Sequence, residues 1–318
     1  MIIGVFHQSS GLGNQLHRLV ATRVRAADLG VDWGMMYDPN DSNKEKGFKG
    51  QGFMDVGQWD KDFKKTVHHF SANPAQNPTA RPIPDRPEGF MGNWFEKCTR
   101  DEFGNDIRSY DPEFNFIKDN TVIDGEFQDE RYWEHREKEI DEWLKVEPLD
   151  VPDDLCVIGF RGGEFALYPD LFLSKDYWLG AIEKMKDINP KMRFEVHTDD
   201  LYLARNFFNS IGCVNSDGKE FYIIHDIGLN WRSMRFARYA IIANSSFFIL
   251  PRWLREGEKH GVGYTYETFG TDKDSNGKPI SAIKQMKNSV TIAPRYWGRH
   301  NTKIWSLPQN YYKRFQHI

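Results

Sequence analysis

An arginine, two glycines and a carboxylate follow a short apolar run near the middle of the chain. The run covers residues 155–160, and Arg161, Gly162, Gly163 and Glu164 come directly after it. A guanidinium can hold a diphosphate through paired hydrogen bonds, and the glycines allow a backbone or a phosphate to come close. This stretch therefore predicts a diphosphate site at the end of a buried strand. The alternative is a surface turn whose arginine is only solvated.

A second candidate anion site lies near the amino terminus. Residues 2–29 predict a strand, then a glycine-bearing loop, then a helix that begins at Asn14. The backbone amides of Gly13 and Asn14 would face a phosphate at the positive end of the helix dipole. A tight turn that only needs glycine is the alternative. Leu16 stands where the dinucleotide fingerprint has its third glycine, which argues against a nicotinamide enzyme.

Polar side chains also follow other predicted strands of the second half. Strands and helices alternate there, which is typical of a parallel sheet covered by helices. Because the carboxyl ends of parallel strands meet at one edge, a single ligand could touch Arg161, Asp199, Asp226 and Ser245. Asp199 and Asp226 could instead each cap the helix that follows.

The sequence offers no convincing metal site. Acid pairs of the Asp-x-Asp type occur only at 60–62 and 272–274, each with a lysine between the acids, and both are interpreted as solvated loops. His68 and His69 are adjacent, so their side chains would point in different directions. We therefore expect no metal and no cofactor.

Composition and charge exclude several classes of protein. The formal net charge is −4 and the pI is near 6.2, whereas a nucleic-acid binder needs a basic face. Three cysteines, far apart, are too few for a disulfide framework or a zinc site, which predicts a reducing compartment. The amino terminus lacks the features of a signal peptide, and the most apolar stretch, 236–250, is too short and polar to span a membrane. We expect a cytoplasmic protein without an integral membrane segment or a nucleic-acid partner.

The length of 318 residues leaves room for two domains. Pro148 and Pro152 flank an acidic connector at 147–154, which is typical of a domain boundary. We predict domains at 1–150 and 151–318. Five prolines within 71–89 predict an ordered surface loop.

Short strings in a fixed order resemble the α-1,2-fucosyltransferase family, glycosyltransferase family 11, within the wider group of GDP-fucose-dependent transferases. The resemblance extends from the first residues to about Trp297. The strings are G-L-G-N-Q-L at 11–16, G-E-F-Q-D-E-R-Y at 125–132, S-K-D-Y at 174–177, H-T-D-D at 197–200, I-I-A-N-S-S-F at 241–247 and I-A-P-R-Y-W at 292–297.

The resemblance implies a GT-B arrangement, an α/β fold in which two Rossmann-like domains face each other across a cleft. It implies that the second domain holds GDP, and that fucose passes from GDP-fucose to a glycan hydroxyl with inversion and without a metal. Arg161 would hold the β-phosphate, with Asn14 approaching it from the first domain, while Asp199 and Asp226 would contact the guanine or ribose. Three residues of one turn would bind the phosphates from a helix amino terminus: Asn244, Ser245 and Ser246.

Inverting transfer needs a base that accepts the proton of the acceptor hydroxyl. Glu164 is the nearest candidate in the sequence, and Arg161 beside it would keep the carboxyl ionised. A purely structural ion pair between the two is the alternative. His7, on the first loop, is a second candidate base.

The chain departs from the family at its central motif, His-x-Arg-Arg-x-Asp. Gly159 and Gly162 replace the His and the second Arg, and Glu164 replaces the Asp. Losing a guanidinium beside a diphosphate removes on the order of 1.5–3 kcal/mol of charge-assisted hydrogen bonding. Another cation would have to compensate, and the candidates are Arg235, Arg238 and Arg252.

These departures leave two other functions open. One is a catalytically impaired protein that binds a glycan or a nucleotide on the same scaffold. The other is a transferase that uses a different nucleotide sugar.

Overall fold

The computed structural model describes residues 1–6, 10–37, 47–59, 68–71, 98–100, 106–108, 112–125, 127–128, 130–167, 172–173, 175–243, 245–255, 259–262 and 289–291. The chain divides into two compact units. Among the described residues, the first unit takes those from Met1 to Val146, and the second takes those from Glu147 to Val262 together with 289–291. The Asp-Lys-Asp sequences, most of the proline-rich stretch and the string at 292–297 lie outside the described residues.

The first unit is built on a small parallel sheet. In chain order its elements are β1 (Ile2–Phe6), α1 (Leu12–Leu29), β2 (Trp33–Tyr37), β3 (His68–Ser71), β4 (Cys98–Arg100), β5 (Asp106–Arg108), β6 (Thr121–Asp124) and α2 (Glu137–Trp143). Four strands run parallel in the order β2-β1-β6-β3, while β4 and β5 form a separate antiparallel pair. Every residue of β1 is buried, as expected for a central strand.

Two predicted helices of the first unit differ from the structure. The first begins at Leu12 and not at Asn14, because Leu12 is itself a buried core residue directly after the Gly11 cap. Charged residues with apolar residues at helical spacing also predict one helix over 129–146. That prediction is wrong over its first half, because Glu130–Tyr132 and Glu134–Arg136 form two 3₁₀ turns and only α2 is α-helical. Trp133 separates the two turns; it is buried and its indole donates to the carbonyl of Phe127, 3.1 Å away.

The second unit contains six parallel strands. Its elements are β7 (Leu155–Phe160), α3 (Lys175–Ile188), β8 (Arg193–Thr198), α4 (Leu201–Ser210), β9 (Tyr222–Ile224), α5 (Ile227–Phe236), β10 (Tyr239–Ile242), α6 (Ser246–Trp253), β11 (Lys259–Val262) and β12 (Ser289–Thr291). The strand order is β9-β8-β7-β10-β11-β12. Numbered from β7, this order reads 3-2-1-4-5-6, the order of the Rossmann dinucleotide-binding fold.

Helices cover both faces of this sheet. Neighbouring residues of a strand point to opposite faces. The ring of Phe160 packs on Trp178 of α3 and Phe208 of α4, each 5.3 Å between ring centroids, whereas the preceding Gly159 lies against Phe248 of α6. The predicted α/β class is therefore confirmed in both units, whereas the predicted cleft between them stays a prediction.

No helix among the described residues is both long and apolar enough to cross a membrane. The sequence patterns missed β3, β4, β5 and β11, which have three or four residues each. Such short segments carry no readable alternation of apolar and polar residues, so only their neighbours in the sheet define them.

Candidate functional site

The parallel sheet of the second unit has a topological switch point, at which the direction of the strand connections reverses. Connections from β7 run outward to β8 and β9, then return across the sheet to β10 and continue to β12. Open α/β sheets bind their ligands at this switch point, at the carboxyl ends of the strands. Arg161 follows β7 and Ser245 follows β10, so the two residues flank the switch point.

The structure brings four of the predicted site residues to one edge of the sheet. The strands that precede them lie side by side in the order β10, β7, β8 and β9. The residues that follow these strands are Ser245, Arg161, Asp199 and Asp226, respectively. Their roles in binding a ligand stay predictions.

Arg161 and Asp199 form an ion pair across the ends of β7 and β8. Arg161 donates through Nη1 to Oδ2 of Asp199, and the backbone amide of Gly162 donates to Oδ1 of the same carboxylate at 2.8 Å. Both side chains keep about a quarter of their surface exposed, 25% and 28%. The guanidinium also lies 5.1 Å from the ring centroid of Phe165. One carboxylate thus orients this cation at the solvent-facing edge.

The two aspartates of the H-T-D-D string have separate roles. Asp200, not Asp199, caps α4, since its side chain accepts the amide of Leu203 at 2.9 Å. The alternative of a cap at Asp199 is therefore wrong. Asp226 does cap a helix, because its carboxylate accepts the amide of Leu229 at the start of α5 at 2.6 Å. Asp226 is nevertheless exposed, so the cap leaves the residue open to solvent.

Glycines at the departures from the family motif occupy crowded positions. A Cβ atom on Gly159 would lie 2.8 Å from the ring of Phe248, and one on Gly162 would lie 2.9 Å from Leu203. Gly163 has a φ of 36°, a conformation that side chains disfavour. The contacts at Gly159 and Gly162 and the φ of Gly163 explain structurally why glycine stands at these three positions.

The turn after β10 leads into α6 at the switch point. Ser245 is the N-cap of α6 and is buried, while Ser246 opens the helix. The first amides of an α-helix have no acceptor within the helix, and with the helix dipole they favour an anion. From α3, Tyr177 donates its hydroxyl to the carbonyl of Ile242, the last residue of β10, at 2.5 Å. This bond fixes the strand end that carries the turn.

A buried histidine supports the end of β8. Nδ1 of His197 lies 2.9 Å from Oδ1 of Asn230, and Nε2 lies 2.8 Å from a carboxylate oxygen of Glu195. The amide group of Asn230 in turn donates to the carbonyl of Thr198 at 3.1 Å. This network ties α5 to the strand end that leads into Asp199.

In the first unit, Gly13 and Asn14 both lie in the first turn of α1. Oδ1 of Asn14 accepts a hydrogen bond from Nε2 of Gln128 at 3.0 Å. Because the carbonyl oxygen of Asn14 faces Gln128, the amide nitrogen of its side chain is directed elsewhere as a donor. The bond joins two of the strings that resemble the family, G-L-G-N-Q-L and G-E-F-Q-D-E-R-Y.

Three predicted site residues cannot be placed. His7 and Asn244 lie outside the described residues, as does the side chain of Glu164. The backbone of Glu164 belongs to a 3₁₀ turn, Gly163–Leu167, directly after Arg161.

The three arginines considered as compensating cations lie at the wrong edge of the sheet. Arg252 is buried and donates to the backbone carbonyls of Ala237 and Arg238, which precede β10. Burial lowers the pKa of its guanidinium to about 9. Arg235 lies in the last turn of α5, which also approaches the amino end of β10. The guanidinium of Arg238 lies 5.4 Å from the ring centroid of Tyr239, the first residue of β10. Because Arg161 lies at the carboxyl edge, the expectation of compensation by these residues is wrong.

Among the described residues, no three His, Cys, Asp or Glu side chains form a cluster that could hold a metal ion. The two cysteines whose side chains are described, Cys156 and Cys213, are buried. Burial raises the pKa of the Cys213 thiol to about 11, which keeps it protonated and unreactive at neutral pH.

Gln128 and His197 make positioning contacts that the sequence patterns do not predict. Gln128 orients Asn14, and His197 supports the end of β8. Both residues belong to strings that resemble the family, and this was the available sequence signal. Their partners, Asn14 and Asn230, are 114 and 33 residues away in the chain. Only the tertiary structure identifies such partners.

Comparison with known proteins finds solved structures of distant similarity and no matching family. No protein-family description matches the chain, and no curated protein is similar enough to count as a relative. Solved structures that resemble it include POFUT1 in complex with GDP, at 12% identity and a TM-score of 0.42, covering 83% of this chain and 98% of that one. POFUT1 in complex with GDP-fucose gives 12% and 0.41, with coverage of 83% and 97%.

Proposed function

We propose that the protein is a metal-independent glycosyltransferase that moves a 6-deoxyhexose, L-fucose first of all, from a GDP-sugar to a glycan hydroxyl with inversion. One observation carries the proposal. Arg161 and the amino terminus of α6 both lie at the switch point of a sheet that has the Rossmann strand order. The nucleotide specificity and the identity of the sugar rest on the sequence resemblance alone. The proposal includes a cytoplasmic location.

Arg161 and the amino terminus of α6 both suit a leaving diphosphate. Negative charge grows on the diphosphate as the glycosidic bond breaks, and a fixed cation together with the dipole of α6 would stabilise it without a metal. Arg161 is already oriented by Asp199, so little reorganisation accompanies binding. A phosphate would share the guanidinium with Asp199, since an arginine offers five donors in a planar fork.

The carboxylates beside this position suit a nucleoside. Asp226 is exposed at the end of the neighbouring strand β9, where it could accept hydrogen bonds from guanine or ribose. Asn14, whose side chain accepts a hydrogen bond from Gln128, stays a proposed donor contact in the first unit. The general base is assigned to Glu164 or His7.

One observation favours a second candidate function, a nucleotide- or glycan-binding protein without turnover. The space beside Gly159 is filled by Phe248, so the histidine of the family motif has no counterpart in position at the end of β7. The cations considered as substitutes for the second arginine lie at the opposite edge. The alternative of a transferase that uses another nucleotide sugar is tested by comparing different donors, since such an enzyme would bind a donor other than GDP-fucose preferentially.

A thermal-shift titration with GDP, GDP-fucose, GDP-mannose, UDP and ADP tests the donor site. A ligand at 100 times its dissociation constant stabilises the native state by about 2.7 kcal/mol. We expect GDP compounds to stabilise the wild type selectively and to lose that effect in Arg161→Ala. Arg193→Ala is the matched control, because it removes an arginine–aspartate pair at the other end of β8, with Asp154.

Release of GDP from GDP-fucose in the presence of mixed glycan acceptors then separates the two functions. Turnover that persists in EDTA and disappears in Arg161→Ala would support the transferase. GDP binding without turnover on any acceptor would favour the binding protein. No stabilisation by any GDP compound would refute the proposed donor site.

A further inference from the structure

The first unit contains a cavity that none of the predicted site residues lines. Its volume is about 540 Å³, within the range of roughly 300–1,000 Å³ that small-molecule sites occupy. Four aromatic side chains and two polar ones dominate its wall: Tyr37, Phe48, Phe53, Trp59, Gln51 and Asp55.

The cavity lies at the carboxyl edge of the parallel sheet of the first unit. Tyr37 is the last residue of β2, and its ring is 6.0 Å from that of Phe6, the last residue of the neighbouring β1. The ring of Phe48 stacks on Phe6 at 6.2 Å. This is the edge at which α/β sheets bind ligands.

Several bonds hold the cavity wall in place. Gln15, fully buried in α1, donates to the carbonyl of Gly47 at 3.2 Å and accepts the amide of Lys49 at 3.0 Å. The carbonyl of Trp59 accepts the amide of Met35 on β2 at 3.1 Å. The site is thus formed before any ligand binds, which reduces the entropy lost on binding.

The wall chemistry suits a neutral sugar ring. The rings of Tyr37 and Trp59 lie 5.4 Å apart at 73°, and both are partly exposed, so they form an aromatic corner. The apolar C–H face of a pyranose packs on such a ring, while its hydroxyls need acceptors and donors nearby. Asp55 and Gln51, both exposed, supply them.

The charge of the wall argues against an anionic ligand. Among the described residues that line the cavity, Asp55 is the one charged side chain, and none is Lys, Arg or His. A phosphate or a sulfated sugar would meet a negative charge there without a compensating cation.

We propose that this cavity binds a neutral saccharide, with its ring on the aromatic corner and its hydroxyls hydrogen-bonded to Asp55 and Gln51. Its use as the acceptor subsite rests on the proposed function, whereas saccharide binding does not.

Saturation-transfer NMR with methyl glycosides of galactose, glucose, mannose and N-acetylglucosamine, and with lactose, tests the site. We expect at least one to bind saturably, with the C–H protons of one ring face receiving the strongest transfer. Asp55→Asn should weaken that binding by about tenfold, equivalent to about 1.4 kcal/mol. Trp59→Leu should weaken it at least as much.

Asp55→Asn is expected to fold, because the asparagine oxygen can still accept the amide of Gly57, now 2.9 Å from Asp55. Asp217→Asn is the matched control, since Asp217 likewise accepts a backbone amide two residues on, from Lys219 at 3.1 Å, in the other unit. The proposal would be overturned if no member of the panel bound saturably. It would also be overturned if Asp55→Asn and Trp59→Leu both bound the saccharide as strongly as the wild type does.

GDP titrations of the same proteins separate this proposal from the proposed function. Saccharide binding that depends on Asp55 in a protein that ignores GDP would sustain the cavity and refute the donor site. The reverse result would sustain the donor site and refute the cavity.

Discussion

The ring of Phe248 fills the space beside Gly159 in which a side chain would begin, 2.8 Å from the ideal Cβ position. Gly159 pairs with Ile242 of β10, and its carbonyl accepts the amide of Ala243 at 2.9 Å. The first turn of α6 can therefore lie directly against the end of β7. A glycine in the central motif thus brings a helix amino terminus to the strand that carries Arg161.

Gly159→Ala should lower the free energy of unfolding by about 1–3 kcal/mol, because the buried ring of Phe248 cannot move aside without disturbing the core. Urea denaturation measures this change. Gly180→Ala in α3 is the control: a Cβ there has open space, so we expect a gain of roughly 0.5–1 kcal/mol from helix propensity. Equal effects of the two substitutions would show that Phe248 does not constrain Gly159.

Asp226 combines a helix cap with a proposed contact to guanine or ribose, and a serine separates the two roles. Serine caps as well as aspartate, so Asp226→Ser should preserve stability, whereas Asp226→Ala should cost about 1 kcal/mol. Both should weaken GDP binding by about tenfold through loss of a charge-assisted hydrogen bond. Calorimetric titration with GDP measures this loss.

Asp200→Ser makes the same change in the cap of α4, where the proposed nucleotide contact is absent. It should leave the dissociation constant of GDP unchanged. Unchanged GDP binding in Asp226→Ser as well would restrict Asp226 to capping.

Asn14 and Gln128 should act as one unit in donor binding. Their side chains share a hydrogen bond of 3.0 Å, so Gln128→Ala removes a contact that orients the side-chain amide of Asn14. In a double-mutant cycle we expect the two alanine substitutions to be non-additive by about 0.5–3 kcal/mol in GDP-sugar affinity. Additive losses would contradict a positioning role for Gln128.

The ion pair between Asp154 and Arg193 should produce a small pH dependence of stability. The hydrogen bond from Arg193 holds the pKa of the Asp154 carboxyl below its usual value. The pair therefore stabilises the fold above the unfolded pKa of about 3.9, and this stabilisation is lost as the pH falls through the lower folded pKa. Because the pair is about half exposed, the effect is about 0.2–1 kcal/mol.

Asp154→Asn should accordingly be less stable than the wild type at pH 7, with the difference disappearing in strong acid. Urea denaturation across this pH range measures the difference, and Asp153→Asn at the exposed neighbouring position is the control. A difference that grows as the pH falls would contradict the assignment.

Local sequence patterns are sufficient to predict the alternation of strands and helices in the second unit. They also place Arg161, Asp199, Asp226 and Ser245 directly after its strands. Apolar runs that end in polar residues carry this information locally: the pattern at 193–198 predicts a strand, and β8 has these bounds. The α/β class follows from the same alternation.

Tertiary structure alone decided which strands are neighbours, and hence that the four residues share one edge around a switch point. It also decided that Asp200 rather than Asp199 caps α4, that Phe248 occupies the place beside Gly159, and that Arg252 serves the opposite edge. Each of these depends on partners from distant parts of the chain, whose proximity is set by the packing of the whole unit and not by local sequence.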